Sequence, residues 1–338
     1  MEQLTLDIKG IDKIIVTDRQ TDRQTDRQTD RPQTLSEKIE KSKQALRLAA
    51  DMSKTYYKAP LIVAYSGGKD SDVLLHLAES CLLPTEFELV NGHTTVDAPE
   101  TVYHIRDTFK RLNARGIKTT VDYHKKADGT NETMWTLIPA KKMPPTRTMR
   151  YCCAVLKEAT TPNRLCALGV RAAESSKRQG RDTFGTRGGG TWKHFFSLEH
   201  ALEVHQESQE IQDDAWDCTL IKKMKEHDDT IVNPIYEWTD SDIWEYIKQE
   251  GIKVNELYSK GYKRVGCIGC PLAGYRQIKK EFADYPKYKQ MYIQAFEKMI
   301  EARKATGKAT AWETGEEVFD WWIGENTHNV KGQLSLFE

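Results

Sequence analysis

The stretch Pro60-Leu61-Ile62-Val63-Ala64-Tyr65-Ser66-Gly67-Gly68-Lys69-Asp70-Ser71 decides the fold of this chain of 338 residues. It begins with a short apolar run that ends at two glycines, which is typical of a buried strand leading into a turn. Residues 72–82 then have the pattern of a helix. A turn from strand to helix collects unpaired backbone N–H groups at the positive end of the helix. The stretch therefore predicts a phosphate-binding loop.

The side chains of this loop fit the same interpretation. Its two glycines let the backbone come close to an anion, the lysine adds a positive charge, and the two serines add hydroxyl donors. The predicted nucleotide-binding residues of the loop are Ser66, Gly67, Gly68, Lys69, Asp70 and Ser71.

The loop is not a Walker A motif. That motif requires a glycine where Val63 stands, and a serine or threonine where Asp70 follows the lysine. The Ser-Gly-Gly-x-Asp-Ser pattern instead resembles the PP-loop of the adenine-nucleotide α-hydrolases. The resemblance implies a site for pyrophosphate or sulfate, and cleavage of ATP between its α and β phosphates. An ordinary glycine-rich turn is the alternative.

Strands and helices alternate around the loop. Further strands are predicted at 87–91, 118–123 and 166–170, and a helix at 101–113. This order predicts an α/β fold with a parallel, Rossmann-like sheet between helices, followed by a mainly helical C-terminal lobe. The remaining predictions are a helix over 34–57 that starts with a Thr34–Glu37 capping box, a flexible glycine-rich loop over 183–191, and helices over 239–247, 276–303 and 316–322.

The composition shifts along the chain predict three regions. Residues 17–31 repeat Thr-Asp-Arg-Gln and have no apolar face to bury, so residues 1–33 are predicted to form a disordered, low-complexity tail. Residues 34–250 are assigned to the nucleotide-binding domain. Residues 251–338 are assigned to a C-x-x-C segment and the helical lobe.

The bulk composition indicates a globular protein. Hydrophobic residues make up 38% and charged residues 30%, and the formal net charge is zero. No apolar run approaches the ~20 residues of a membrane-spanning helix, and the N-terminus lacks the pattern of a secretory signal. We therefore expect a cytoplasmic protein that does not bind membranes, with its seven cysteines kept reduced.

The charges are unevenly distributed. Residues 141–187 contain eleven Lys and Arg against three Asp and Glu, whereas residues 199–229 contain ten acidic residues against three lysines. One interpretation is an anion site covered by a mobile acidic segment. The other is two solvated faces that neutralise each other.

Four of the cysteines occur in two tight pairs, Cys152 with Cys153 and Cys267 with Cys270. Two such pairs can complete a four-sulfur metal site, and thiolates suit either zinc or an iron–sulfur cluster. Spacing alone does not decide between these metals. A redox-active C-x-x-C with two core cysteines is a further alternative. Arg147 and Arg150 are expected to stabilise the thiolates.

From residue 64 to residue 272, ordered blocks of this sequence resemble the phosphoadenosine-phosphosulfate reductase family. The similarity is strongest to its cluster-bearing members, the adenylylsulfate reductases and the sulfurtransferase of DNA phosphorothioation systems. The matching blocks after the loop are 96–101 (Val-Asp-Ala-Pro-Glu-Thr), 151–157, 169–178 (Gly-Val-Arg-Ala-Ala-Glu-Ser with a later arginine), 233–244 and 258–271.

The resemblance implies a set of site residues. Asp97, Glu100, Arg171, Glu174, Ser175 and Arg178 would join the loop in binding the nucleotide, and Asp70, Lys69 and Arg171 would act in catalysis. The guanidinium groups suit sulfate or phosphate because each presents a planar fork of donors. Exposed salt bridges are the alternative role for these arginines. Cys152, Cys153, Cys267 and Cys270 would hold a 4Fe–4S cluster beside the nucleotide.

The sequence also departs from the family pattern. Sulfonucleotide reductases carry a catalytic cysteine near the C-terminus, but no cysteine follows Cys270 here. Cys166 and Cys81 are predicted to be structural. Cys218 lies in the acidic segment, whose charges would raise its pKa and disfavour the thiolate.

We therefore expect an ATP-dependent, adenylating sulfurtransferase that uses Mg²⁺, with a nucleic acid as the acceptor and a sulfur-donor protein such as a cysteine desulfurase. The basic residues Lys141, Lys142 and Arg147 are the expected contact for the acceptor phosphates. One alternative is a reductase of adenylylsulfate or its 3′-phospho form with an unusual nucleophile. Another is a non-catalytic subunit that binds a nucleotide and senses a cluster.

Overall fold

The structure is a computed structural model that describes residues 32–157, 162–188, 191–210, 219–308 and 310–324. The Thr-Asp-Arg-Gln repeat, Cys218 and the last residues of the chain lie outside these ranges. The disordered tail and the expectation that acidic neighbours disfavour the Cys218 thiolate therefore stay predictions.

The described chain alternates strands and helices up to residue 250 and is mainly helical afterwards. The strands are β1 (Leu61–Ala64), β2 (Phe87–Gly92), β3 (Thr119–Asp122), β4 (Leu165–Ala167), β5 (Phe184–Gly188), β6 (Thr191–Phe196) and β7 (Thr230–Val232). The α-helices are α1 (Leu35–Met52), α2 (Lys69–Cys81), α3 (Pro99–Asn113), α4 (Met134–Lys141), α5 (Tyr151–Leu156), α6 (Leu198–Glu210), α7 (Thr219–Lys225), α8 (Asp240–Glu250), α9 (Tyr275–Asp284), α10 (Pro286–Ala305) and α11 (Gly315–Trp322).

The seven strands form one sheet in the order β3-β2-β1-β4-β7-β5-β6. The first five in this order run parallel, and β5 and β6 are antiparallel additions at one edge. The strand order reverses between β1 and β4. In open α/β sheets such a reversal opens a crevice at the carboxyl ends of the strands, where ligands bind. The predicted α/β class is confirmed, and the loop after β1 lies at this crevice.

Helix α1 covers the sheet next to β4 and β7. Its predicted capping box is present, because Glu37 N–H donates to the Thr34 hydroxyl and Thr34 N–H donates to Glu37. A helical face that includes Ala45, Leu46 and Ala49 is buried in the main core. A π-helical turn over Ser53–Tyr57 completes the element, as expected for 34–57.

The prediction of a flexible loop over 183–191 is wrong. Residues 184–188 form β5, which pairs with β7 and with β6. Glycine is required at 185 because a Cβ there would lie 2.9 Å from ring carbons of Phe195 on β6. The glycines that suggested flexibility therefore include one that lets two strands pack closely.

The single long helix predicted over 276–303 is also wrong. The chain breaks into α9 and α10 at Tyr285, and Pro286 is the first residue of α10. Proline cannot donate a helical hydrogen bond, and it disfavours helical geometry in the residue before it. The predicted strand over 166–170 is shorter than expected, since β4 ends at Ala167.

A second apolar core holds the C-terminal lobe together. It joins α9, α10 and α11 to α4 and α5, which come from the middle of the chain. Phe282, Tyr292, Phe296 and Trp322 pack edge-to-face or tilted against one another in its centre. The predicted boundary at residue 250 stays a prediction, although the lobe takes up chain from well before it.

The described part of the acidic segment packs against α1. His205 on α6 is buried and hydrogen-bonds Asp51 (2.7 Å) and Tyr56 (3.1 Å). This contact holds α6 against the N-terminal part of the fold. Across the described residues, no helix combines the length and the apolarity that crossing a bilayer requires.

Candidate functional site

The phosphate loop lies between β1 and α2. Gly67 has a φ of +70°, and a Cβ there would lie 3.0 Å from Ile105 and 3.2 Å from Thr101, both on α3. Only glycine accommodates this combination without strain. Gly68 is the N-cap of α2, so the loop presents the positive end of that helix. The backbone has the properties that the sequence predicted for an anion site.

Four charged side chains form a closed ring of ion pairs at the loop, and two of them belong to the loop itself. Arg171 Nε donates to Asp70 Oδ1 (2.7 Å), and Lys69 Nζ contacts Asp70 Oδ2 (3.2 Å). Asp240, the first residue of α8, contacts both cations: its Oδ1 lies 2.9 Å from Lys69 Nζ and 3.2 Å from Arg171 Nη2. Burial alone would raise the pKa of Asp240, but Lys69 and Arg171 lower it below its ordinary value.

Arg171 reaches the loop because it follows β4, the strand on the other side of the crevice. Its side chain is only 4% exposed. Gly169 lies directly beside the loop, since a Cβ there would be 3.2 Å from the carbonyl oxygen of Asp70. Asp70 thus contacts both of the other predicted catalytic residues, Lys69 and Arg171.

Two further residues hold the loop from the C-terminal half of the chain. The backbone N–H of Lys69 donates to the hydroxyl of Tyr258 (2.9 Å). Buried Asn255 donates to the carbonyl of Gly67 (3.2 Å) and to the hydroxyl of Thr101 (3.0 Å). Burial raises the pKa of Tyr258, so its hydroxyl stays protonated. Asn255, Tyr258 and Asp240 had no assigned role from the sequence.

The remaining predicted loop residues are serines. Ser71 donates from its hydroxyl to the carbonyl of Gly68 (2.7 Å), and Ser66 lies 3.3 Å from the Ser71 hydroxyl. Both hydroxyls are therefore in the loop, although the Ser71 hydrogen atom already has a backbone acceptor.

Arginines form a cluster beside the loop. Glu174 accepts from the backbone N–H of Arg171 (3.2 Å) and pairs with Arg178. Burial lowers the pKa of Arg178, and the charges of Arg181, Arg264 and Arg150 lower it further. Arg178 therefore lies close enough to each of the other three arginines to be repelled by it. The exposed Ser175 caps the same turn through its carbonyl, which accepts from the N–H of Arg178 (2.9 Å).

Asp97 and Glu100 do not contact the phosphate loop side chains. The Asp97 carboxylate accepts from the hydroxyl of Thr94 (2.7 Å). Glu100 pairs with Lys260 (2.8 Å) and accepts from the hydroxyl of Tyr285 (2.8 Å). The Glu100 carboxylate thus joins the start of α3 to the C-terminal lobe, whereas the Asp97 carboxylate stabilises its own turn. The role of both toward a nucleotide stays a prediction.

The four paired cysteines line one cavity. Cys152 and Cys153 are contributed by α5, and Cys267 and Cys270 by the C-x-x-C turn, with Lys157 also in the wall. Burial raises the pKa of Cys267 to about 11, and nearby Lys157 opposes that rise. The pKa of Cys153 is lowered, first by a hydrogen bond with Cys152 and also by Arg150. The negative charge of the Cys267 thiolate raises the pKa of Lys157.

The C-x-x-C turn is held rigidly. The N–H of Gly269 donates to buried Glu281 (2.7 Å), and the hydroxyl of Tyr292 donates to the carbonyl of Ile268 (2.9 Å). Residues 94–97 pair with it from the other side, because Ile268 N–H donates to the carbonyl of Val96 (2.8 Å).

Soft thiolate ligands in this number suit zinc or an iron–sulfur cluster. Within the described ranges, however, no three His, Cys, Asp or Glu side chains are posed to hold a metal ion. The four cysteines nevertheless fit a cluster in the kind and number of ligands that they offer. Their use as ligands stays a proposal.

Comparison with known proteins identifies the family. The model of the phosphoadenosine phosphosulfate reductase domain matches residues 60–273, which run from the strand before the phosphate loop to just beyond the C-x-x-C turn. The chain belongs to this family. The family is associated with nucleotide-dependent sulfur chemistry.

Individual relatives are more distant than the family match. An uncharacterised protein of Methanocaldococcus jannaschii is 24% identical over 68% of this chain and 40% of its own length. Sulfate adenylyltransferase subunit 2 of Hyphomonas neptunium is 29% identical over 58% of this chain and 55% of its own length. The chain thus spans about half or less of these curated relatives.

A solved structure of phosphoadenylyl-sulfate reductase from Candida auris has a TM-score of 0.39 and 13% identity, covering 70% of this chain and 97% of that one. At that score the likeness carries no argument about the site.

Proposed function

We propose that this family member binds ATP at residues 66–71 and uses it to transfer sulfur to an acceptor. One observation carries the proposal: residues 94–101 touch both predicted sites. At one end, Cys267 Sγ lies 3.5 Å from the Thr94 hydroxyl. At the other, Thr101 lies against Gly67 of the loop. A nucleotide on the loop and chemistry at the cysteines would therefore be neighbours.

The loop residues would stabilise the departing pyrophosphate. The acceptor oxygen would attack the α-phosphorus, the bond to the bridging oxygen would break, and pyrophosphate would leave with that electron pair. The acceptor proton would pass to solvent. Lys69, Arg171 and the N-terminus of α2 place positive charge where charge develops on the leaving group. Asp70 would orient Mg²⁺, which favours carboxylate and phosphate oxygens. A sulfur nucleophile would then displace AMP.

We assign Cys152, Cys153, Cys267 and Cys270 as the ligands of a 4Fe–4S cluster, with zinc as the alternative. Such a cluster would supply a place to hold or pass on sulfide. The chain itself contributes a compensating charge at the same cavity, from Lys157 and Arg150. Positive groups of this kind stabilise thiolates and a net-negative cluster.

We propose a nucleic acid as the acceptor because the arginine cluster lies beside both sites. Arg150 faces Cys153, whereas Arg178 is close to Asp70. Phosphates along a strand would relieve the repulsion among these arginines. Arg147, by contrast, donates to the carbonyl of Pro271 (3.1 Å) next to the C-x-x-C turn. A sulfur-donor protein such as a cysteine desulfurase would complete the reaction.

The acceptor is tested by salt-dependent binding. We expect Arg178→Gln with Arg264→Gln to weaken binding of DNA or RNA and to flatten its dependence on salt. Arg106→Gln with Lys110→Gln, which removes two exposed positive charges from α3, is the matched control. Binding that is equally strong in the double variant and independent of salt would refute the arginine path.

The reaction is tested after anaerobic purification, with iron and sulfide assays. We expect pyrophosphate release from ATP and no sulfite from adenylylsulfate or its 3′-phospho form. Lys69→Ala should abolish pyrophosphate release, and Lys110→Ala, which removes an exposed lysine of α3, should not. Sulfite release that is lost in Cys218→Ser would instead establish a sulfonucleotide reductase, the activity that the family name suggests. Nucleotide binding without any turnover would indicate a non-catalytic subunit.

A further inference from the structure

The donors of the phosphate loop are already paired with groups of the protein itself. Tyr258 accepts the backbone N–H of Lys69, and the side chains of Lys69 and Arg171 are shared between Asp70 and Asp240. Asp70 belongs to the loop motif. Asp240 comes from a distant helix, and nothing in the loop motif requires it.

The formal charges of this ring cancel. Lys69 and Arg171 contribute two positive charges, and Asp70 and Asp240 contribute two negative charges. A loop with only the motif carboxylate would carry a net positive charge and would bind almost any small anion. The second carboxylate removes that excess, so an incoming anion must compete with Asp240 for the same two cations.

Asp240 is positioned to be displaced. Its side chain is 65% exposed, whereas those of Arg171 and Lys69 are 4% and 8% exposed. The cations are thus fixed, and the carboxylate can turn to solvent at little cost when a phosphate takes its place. The helix start beneath it is secured independently, because Thr239 and Asp242 form a capping box.

We infer that Asp240 is a specificity-determining residue of the nucleotide site. It acts as an internal competitor that keeps weakly charged anions such as sulfate or inorganic phosphate off the loop, and only a ligand with several phosphate charges displaces it efficiently. This inference rests on the proposed nucleotide site but does not depend on the sulfur chemistry.

The test is equilibrium binding of metal-free sulfate, inorganic phosphate and pyrophosphate to the full chain by calorimetry. We expect Asp240→Asn to lower the Kd of sulfate and of inorganic phosphate about ten-fold, equivalent to about 1.4 kcal/mol, and that of pyrophosphate by a smaller factor. Glu245→Gln removes the same charge from an exposed position on the same helix and should leave each Kd within about two-fold. Asp240→Ser provides a second neutral variant that is compatible with a helix start.

Salt separates charge competition from a structural effect. The difference between wild type and Asp240→Asn should shrink as ionic strength rises, because exposed charge pairs are screened. Unchanged or weaker anion binding in both Asp240 variants, with the control equal to wild type, would overturn the inference while leaving the nucleotide site intact. Failure of wild type and variants alike to bind pyrophosphate would overturn both.

Discussion

The C-x-x-C turn makes a sharp prediction about stability. Gly269 has a φ of +72°, and a Cβ there would lie 2.6 Å from Phe282 and 2.9 Å from Trp322. Gly274 has a φ of +82° but nothing within 4 Å, and Gly266 has neither feature. All three glycines lie in or next to the C-x-x-C turn. A comparison of their alanine substitutions therefore separates the cost of backbone strain from the cost of overpacking.

The magnitudes follow from these two terms. A left-handed backbone costs a non-glycine residue roughly 1–2 kcal/mol, and forcing extra atoms into a packed core costs roughly 1–3 kcal/mol. Gly269→Ala should therefore lower the free energy of unfolding by about 2–5 kcal/mol. Gly274→Ala should lower it by about 1–3 kcal/mol, because a ψ of 153° places Gly274 in a region that essentially only glycine populates. Gly266→Ala should change it by about 0.5 kcal/mol or less.

The assay is urea unfolding followed by tryptophan fluorescence, since Trp322 lies in the affected core. Unfolding is measured on each variant prepared in the same way, with the fold checked by circular dichroism. The reasoning would be refuted if Gly269→Ala and Gly274→Ala were equally destabilised, because that would leave no contribution from contact with Phe282 and Trp322.

Two further predictions concern the sheet and the loop. Burial alone would raise the pKa of Glu88, but hydrogen bonds from Lys118 and Arg164 lower it. At pH values above the ordinary carboxyl pKa of about 4.3, Glu88→Gln should therefore lower the free energy of unfolding by about 1–3 kcal/mol. This loss should fade as the pH drops below that value. A cost in urea titrations that persists unchanged at pH 3 would contradict this. Tyr258→Phe leaves the N–H of Lys69 without its partner, so it should lower the free energy of unfolding by about 1–2 kcal/mol. Added pyrophosphate should reduce that loss by accepting the N–H, whereas an equal loss with and without the ligand would count against phosphate at this position.

Local patterns were enough to predict four strands of the sheet, β1 to β4, and the phosphate loop. The strand–glycine–helix order located the phosphate site, and the Thr34–Glu37 spacing located the start of α1, because each depends on neighbouring residues. Pro286 also indicates a break in the helix. However, the helical pattern on both sides of it led to the prediction of one continuous helix.

The contacts that complete the site could not be predicted in this way. Asp240 and Tyr258 contact Lys69 although about 170 to 190 residues of chain separate them from it. A local pattern in the sequence therefore cannot indicate these contacts. Glu100 matched a family block, yet it pairs with Lys260, which no local pattern could indicate. The pairing of β5 with β7 was missed for the same reason, since β7 lies far along the chain.

The second apolar core also has a consequence for synthesis on the ribosome. Helices α4 and α5 leave the ribosome long before α11, which ends at Trp322. At about 5–20 residues per second, the interval is on the order of 10–30 s. During that time Cys152 and Cys153 are present without the residues that later enclose them. The nascent chain therefore exposes two of the four paired thiols before Cys267 and Cys270 have been made.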